Sequence, residues 1–160
     1  MIDFHEILNL SCTRAGLSAT TQKAALEAAS ELVAAANPQI LARHLLEELL
    51  ARERLGSTGL GAGVAIPHCR LEECNGPTAA MIRLTRPVDF EAPDGRGVDL
   101  LFVLAVPADE ERVHLEILGA LAHIFDHAPN LEALRRADTD ESLRDVILSE
   151  LAELATTGDQ

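Results

Sequence analysis

Val98-Asp99-Leu100-Leu101-Phe102-Val103-Leu104-Ala105-Val106 is apolar at every position but one and stops at Pro107. A run without polar alternation reads as a strand covered on both faces. Such a strand belongs at the centre of a sheet, with helices on either side of it. Downstream, Asp109 is placed to cap a helix reaching about His127, and Glu110 and Glu111 favour its positive end. Pro129 opens a short helix through about Arg136. Thr139 or Asp140 starts a last helix carrying Leu143, Val146, Ile147, Leu151 and Leu154.

Upstream of the run, Val64-Ala65-Ile66 is a short strand ended by Pro67, and Thr78 to Leu84 is a second, bounded by Pro77 and Pro87. Before them, the four glycines in Arg52-Glu53-Arg54-Leu55-Gly56-Ser57-Thr58-Gly59-Leu60-Gly61-Ala62-Gly63 mark a loop that admits close backbone approach. Earlier still, Ser18 and Thr20 are cap candidates for a helix over Ala24–Ala36. Asn37 as cap and Pro38 at the first helical position open another to about Ala51, with Leu41, Leu45 and Leu49 on one face. Helices, short strands, buried strand, helices: the order predicts a single-domain α/β sandwich, a small mixed sheet flanked by helices. Only Thr156 to Gln160 read as a frayed tail.

With 160 residues, 48% of them hydrophobic, the chain is long enough for one domain with a sizeable core. Thirteen Lys and Arg against twenty-six Asp and Glu leave a net charge of −13, which repels phosphate backbones and anionic lipid alike. Nucleic acid and membrane insertion are therefore not expected, and a basic protein face is the better partner. No run of about 18 apolar residues appears and the N-terminus has no basic-then-apolar leader, so the expected location is the cytoplasm. Cys12, Cys69 and Cys74 form no disulfide framework and are expected as reduced thiols.

Six histidines remain to be sorted. His5 and His44 read as surface residues. His123 and His127 have a spacing that chelates zinc, but no third ligand stands at motif distance, so they are expected as an exposed pair near a helix end. His114 begins the series His114, Leu118, Leu121, Phe125 and shares the buried stripe. At about 100° per residue it lies roughly opposite His123 on the helix. It also follows the buried strand closely, where ligands gather in open α/β sheets. His68 stands behind the glycine-rich loop, stiffened by Pro67. A neutral imidazole accepts and releases a phosphoryl group without a metal, and His68 is a candidate for that role, beside the alternatives of a structural or a metal-bound histidine.

Gly61-Ala62-Gly63-Val64-Ala65-Ile66-Pro67-His68-Cys69 resembles the active-site signature of the phosphotransferase-system IIA domains of the fructose/mannitol class. Arg52 to Gly59 resembles the segment that precedes this signature, and Pro107-Ala108-Asp109 through His114-Leu115 resembles the second histidine segment. The lead-in Gly56-Ser57-Thr58-Gly59 is most similar to the nitrogen-regulatory branch. Ala62 stands where that branch commonly has Asn, and Cys69 where it commonly has Gly.

The resemblance implies a mannitol-IIA-like domain over residues 1–155 with a tail at 156–160. It implies a relay rather than a turnover enzyme. His68 would accept the phosphoryl group from a small histidine phosphocarrier protein, His114 would stabilise it, and Arg52 would supply the cation. Ser57 and Thr58 would contact the phosphoryl group or only shape the turn. No cofactor or metal is implied, and regulatory target proteins would read the phosphorylation state. Three alternatives stand beside this reading: a sugar-specific IIA component that passes phosphate to a IIB domain, a metal-dependent hydrolase using His68 and His114, and a non-phosphorylated binding module that keeps only the fold. A thiol redox role for Cys69 would be an addition to any of them.

Overall fold

The computed structural model describes residues 2–158. In chain order the elements are α1 (Phe4–Ile7), β1 (Leu8–Leu17), α2 (Gln22–Ala36), α3 (Ala42–Leu55), β2 (Gly59–Gly61) and β3 (Val64–Ala65). β4 (His68–Leu71), β5 (Thr78–Val88), β6 (Val98–Pro107), α4 (Glu111–Phe125), α5 (Ala128–Arg136) and α6 (Asp140–Gly158) complete the chain. The sheet runs β1-β5-β6-β3-β2, with β4 also paired to β6. β6 is antiparallel to β5 and parallel to β3 and β4, while β1 is parallel to β5, so the sheet is mixed.

The apolar run is the central strand. Because successive side chains point to opposite faces, Leu100, Phe102, Leu104 and Val106 enter one core with Ile117 and Leu121 of α4, Leu134 of α5 and Ile147 of α6. Leu101, Val103 and Ala105 enter the other, against Leu26 and Val33 of α2 and Leu45 and Leu49 of α3. All seven are at most 1% exposed, and each Leu, Val or Phe buried this way contributes roughly 1.5–3 kcal/mol. Helices therefore cover both faces, as the lack of alternation requires.

Several expectations are corrected. Thr21, not Ser18 or Thr20, caps α2 by accepting from the Ala24 N–H. Asn37 closes α2 rather than opening α3: its amide donates to the Val33 carbonyl at 2.8 Å and to Thr78 Oγ1 at 3.1 Å. Pro38 lies in the turn that follows, α3 begins only at Ala42 and ends at Leu55, and Leu41 is 68% exposed. Arg52–Leu55 is thus the last turn of α3, not loop. β5 runs through Pro87 to Val88, because a register shift between Arg83 and Val88 removes the ladder bond that Pro87 would have lacked. Glu110 precedes α4 in the cap position, without a side-chain bond, and that helix stops at Phe125. Thr139 does cap α6, accepting from the Ser142 N–H, and α6 carries the chain past Thr156 to Gly158. Residues 159 and 160, the rest of the expected tail, lie outside the described residues.

Three strands were not expected, β1, β2 and β4, and β2 falls within the stretch read as a loop. β1 buries Leu8, Cys12 and Thr13, and its pairing with β5 slips between Leu8 and Thr13, so its period-two pattern is erased. β4 resumes the parallel pairing along β6 after Pro67, whose carbonyl accepts from the Leu104 N–H at 2.9 Å.

Candidate functional site

The loop before His68 is built on backbone that few residues tolerate. Gly63 sits at φ +82°, and a Cβ there would fall 2.4 Å from Arg135 Nη2 and 2.9 Å from Asp99 Oδ1. Those two side chains form a bidentate pair under the loop, and Arg135 Nη2 also donates to the Ala62 carbonyl at 2.6 Å. Ala62 is at φ +57°, in the left-handed region that Asn and Gly favour, and its N–H is held by Asp94 at 2.8 Å. Asn or Gly suits that conformation better than Ala.

From this anchored loop β3 runs along β6, and Pro67 delivers His68 to the first position of β4. The His68 ring packs edge-on against His114 of α4, with centroids 5.1 Å apart and planes at 66°. α3 lies on one face of the sheet and α4 on the other, and between them they line a cleft of about 470 Å³ over β4. α3 contributes Glu48, Ala51, Arg52 and Leu55, and α4 contributes Glu111, His114, Leu115 and Leu118. Both sets follow the i, i+3, i+4, i+7 spacing of a single helical face. Leu55 and Leu115 stand 85% and 62% exposed at its rim, so the cleft opens to solvent between two apolar side chains.

His68 Nδ1 lies 2.6 Å from the Ile66 carbonyl oxygen, which can only accept. The neutral ring therefore carries its proton on Nδ1 and leaves the Nε2 lone pair free. Burial lowers the His68 pKa; the Ile66 bond opposes this, and the Arg52 charge adds to the lowering. His114 is likewise lowered, first by burial and then by His68 and Arg70, with Glu111 acting in the opposite direction. Both shifts favour the neutral ring. His114 Nε2 is buried without a hydrogen-bond partner, an arrangement that costs stability unless a polar group meets it.

The structure brings His68, His114 and Arg52 to one cleft. The Arg52 guanidinium donates to the Gly56 carbonyl at 2.8 Å, which holds it at the end of α3. Ser57 and Thr58 are not among the cleft's lining residues. Ser57 donates to the Phe90 carbonyl at 2.7 Å and accepts from the Gly59 N–H, while the Thr58 hydroxyl bonds Glu53. Both hydroxyls shape the turn. Arg70, Glu48 and Glu111 are cleft residues that sequence reasoning missed. Reading residues 68–71 as a strand would have found Arg70, since i and i+2 share a face.

Cys69, beside His68, points into the core of α2 and α3, and burial, Cys74 and Glu48 all push its thiol far up. Cys74 is pushed up to about 11, by burial first and then by Glu73. A protonated, buried thiol is a poor nucleophile, which removes the support for a redox role. All three cysteines are free. Among the described residues, no group of three or more His, Cys, Asp or Glu side chains is arranged to hold a metal ion. None of their helices is long and apolar enough to cross a membrane. His44 is less solvated than expected, lying 3.2 Å from Glu73 and 3.7 Å from Glu48.

Residues 6–150 match the model of the phosphoenolpyruvate-dependent sugar phosphotransferase system EIIA 2 family. The chain belongs to this family. A nitrogen regulatory protein of Pseudomonas aeruginosa is 43% identical over 92% of this chain and 96% of its own length. The crystal structure of nitrogen regulatory protein IIA-Ntr from Neisseria meningitidis, 40% identical, superposes with a TM-score of 0.84, covering 88% of this chain and 96% of that one. The mannitol IIA protein of Escherichia coli shares the fold at 19% identity, with a TM-score of 0.71 over 86% of this chain and 96% of its own.

Proposed function

We propose that this protein is a cytoplasmic phosphocarrier that takes a phosphoryl group on His68 Nε2 from a phosphohistidine of a small carrier protein and signals by its phosphorylation state. The observation that carries the reading is the pair of Nε2 atoms: that of His68 is the free lone pair, and that of His114 is a buried nitrogen without a partner beside it. The His68 lone pair attacks phosphorus in line, the donor's N–P bond breaks, and its electron pair returns to the donor imidazole. His114, as the Nε2–H tautomer, donates to a phosphoryl oxygen. Arg52 and Arg70 offset the charge that gathers on the other oxygens. The thiols, all free, suit the cytoplasm.

A regulatory output follows the relatives named nitrogen regulatory proteins, which match over nearly their whole length. A sugar-specific role has weaker support, since the relative named as a fructose-specific component, 37% identical, matches over only 64% of this chain. Intact mass after incubation with phosphoenolpyruvate, the system's first enzyme and its carrier tests the relay. One acid-labile phosphate on the wild type and none on His68→Ala is expected. Wild type without phosphate, or His68→Ala with it, overturns the reading.

A further inference from the structure

The orientation of the His68 ring depends on where the Ile66 carbonyl points. Pro67 has no N–H to anchor the segment, and it confines Ile66 to extended backbone without fixing the carbonyl's direction. Besides its buried side chain and the bond from Leu104 to the Pro67 carbonyl, Ile66 is held by its own N–H, which donates to the Thr58 carbonyl at 3.1 Å. Thr58, only 6% exposed, is held in turn by Glu53: its N–H donates to Oε2 at 3.3 Å and its hydroxyl donates to Oε1. Gln22 of α2 donates to the same Oε2 at 3.1 Å. One carboxylate on the last turn of α3 therefore gathers three donors. From Thr58, the backbone bond to Ile66 and the bond between the Ile66 carbonyl and Nδ1 lead to the His68 imidazole.

We propose that Glu53 is a positioning residue for phosphoryl transfer, holding Thr58 and through it Ile66 so that His68 keeps its proton on Nδ1 and presents Nε2 to the donor. The inference rests on His68 being the phosphoryl acceptor. A carboxylate suits the task because both its oxygens only accept, and Thr58 offers two donors at once. A glutamine of the same shape keeps only one accepting oxygen, so either the Thr58 hydroxyl must turn round to accept from its NH2 or the Thr58 N–H loses its partner. With the Thr58 carbonyl displaced, the Ile66 carbonyl swings from Nδ1. The imidazole is then free to carry its proton on Nε2, the tautomer that cannot attack phosphorus.

The test compares Glu53→Gln, Thr58→Val and Thr58→Ser with wild type. Two readouts are taken: the rate of phosphoryl uptake from the phosphorylated carrier, and imidazole ¹⁵N shifts, which report which ring nitrogen of His68 holds the proton. Residues that orient a reactive histidine through a hydrogen bond typically matter by about tenfold or more, and that slowing is expected in Glu53→Gln and Thr58→Val. It is accompanied by a rise of the Nε2–H form, and Thr58→Ser, which keeps the hydroxyl, restores both readouts. A purely structural role lowers the melting temperature without moving the tautomer, and that outcome overturns the proposal. Slowing without a tautomer change overturns it as well. Should the wild type take no phosphate, the acceptor reading falls, while the ¹⁵N comparison still decides whether Glu53 sets the tautomer.

Discussion

Two histidine pairs have nearly the same ring separation, 5.1 Å for His68 and His114 and 5.0 Å for His123 and His127. The first joins β4 to α4 and is partly buried in a cleft with Arg52 and Arg70. The second joins the last turn of α4 to the residue that caps α5. Its members are exposed, and His127 Nδ1 donates to the His123 carbonyl at 2.9 Å. Neighbours four residues apart meet at almost no entropic cost, so their proximity says little. Holding together two rings from distant parts of the chain requires the whole fold, because loop closure must be offset by packing elsewhere. Ring distance does not distinguish the pairs; the origin of the rings, and what surrounds them, does.

The largest break between the pairs is expected on deletion. His114→Ala should fold and slow phosphoryl uptake about a hundredfold or more, since one oriented donor to developing charge contributes roughly 3 kcal/mol. The double change His123→Ala with His127→Ala should leave the rate within about twofold, if exposed surface groups act as they usually do. Equal losses in quenched-flow rates would erase the distinction.

Next comes pH. The folded-state pKa values of His68 and His114 are lowered, so the stability this represents is present above the unfolded value and lost as pH falls through the folded ones. Uptake should fall along the same limb, because a protonated imidazole has no lone pair to attack with. Urea unfolding from pH 8 to 5 should show the acid loss in wild type and a smaller one in His114→Ala. An unchanged slope would deny that burial of the ring sets its titration.

The cleft of the second pair should titrate the opposite way. It is lined by Glu150 and Glu153, and Glu150 has a buried Oε1 without a partner and a pKa raised to about 7 by burial and by Glu153. A raised carboxylate contributes stability that is present below its unfolded pKa and lost as pH rises through the folded one. Glu150→Gln should therefore gain about 1 kcal/mol at pH 8, after allowance for solvent screening, and almost nothing at pH 4. Phosphoryl uptake should not change. The smallest effect belongs to Ala62, which shares a groove with His123. Relief of its positive φ by Ala62→Gly or Ala62→Asn should raise stability by about 0.5–1 kcal/mol in thermal unfolding, and a loss would deny the strain.

Much of this was legible in local chemistry. The unalternated run at Val98–Val106 announced a doubly covered strand, and Pro129 and Thr139 marked the starts of α5 and α6 where they stand. What misled was local chemistry put to another use. Asn37 has the right side chain for an N-cap, yet its amide is spent closing α2 and bonding Thr78, which is 41 residues away. The Thr58 hydroxyl, equally open from the sequence to a phosphoryl oxygen or to the turn, bonds Glu53 in this structure. β1 carried no usable period because its irregular pairing with β5 breaks the alternation.

The sequence by itself determined the fold class, the family and the candidate histidine, because apolar periodicity and a contiguous signature act over neighbouring residues. Only the tertiary structure decided that His114 reaches His68, that Arg70 shares their cleft and that His68 keeps its proton on Nδ1. Each of these depends on β4 resuming its pairing with β6 after Pro67 and on α3 and α4 closing from opposite faces. Those contacts join residues far apart in the chain, and they form because burying both faces of β6 outweighs the chain entropy lost in bringing them together.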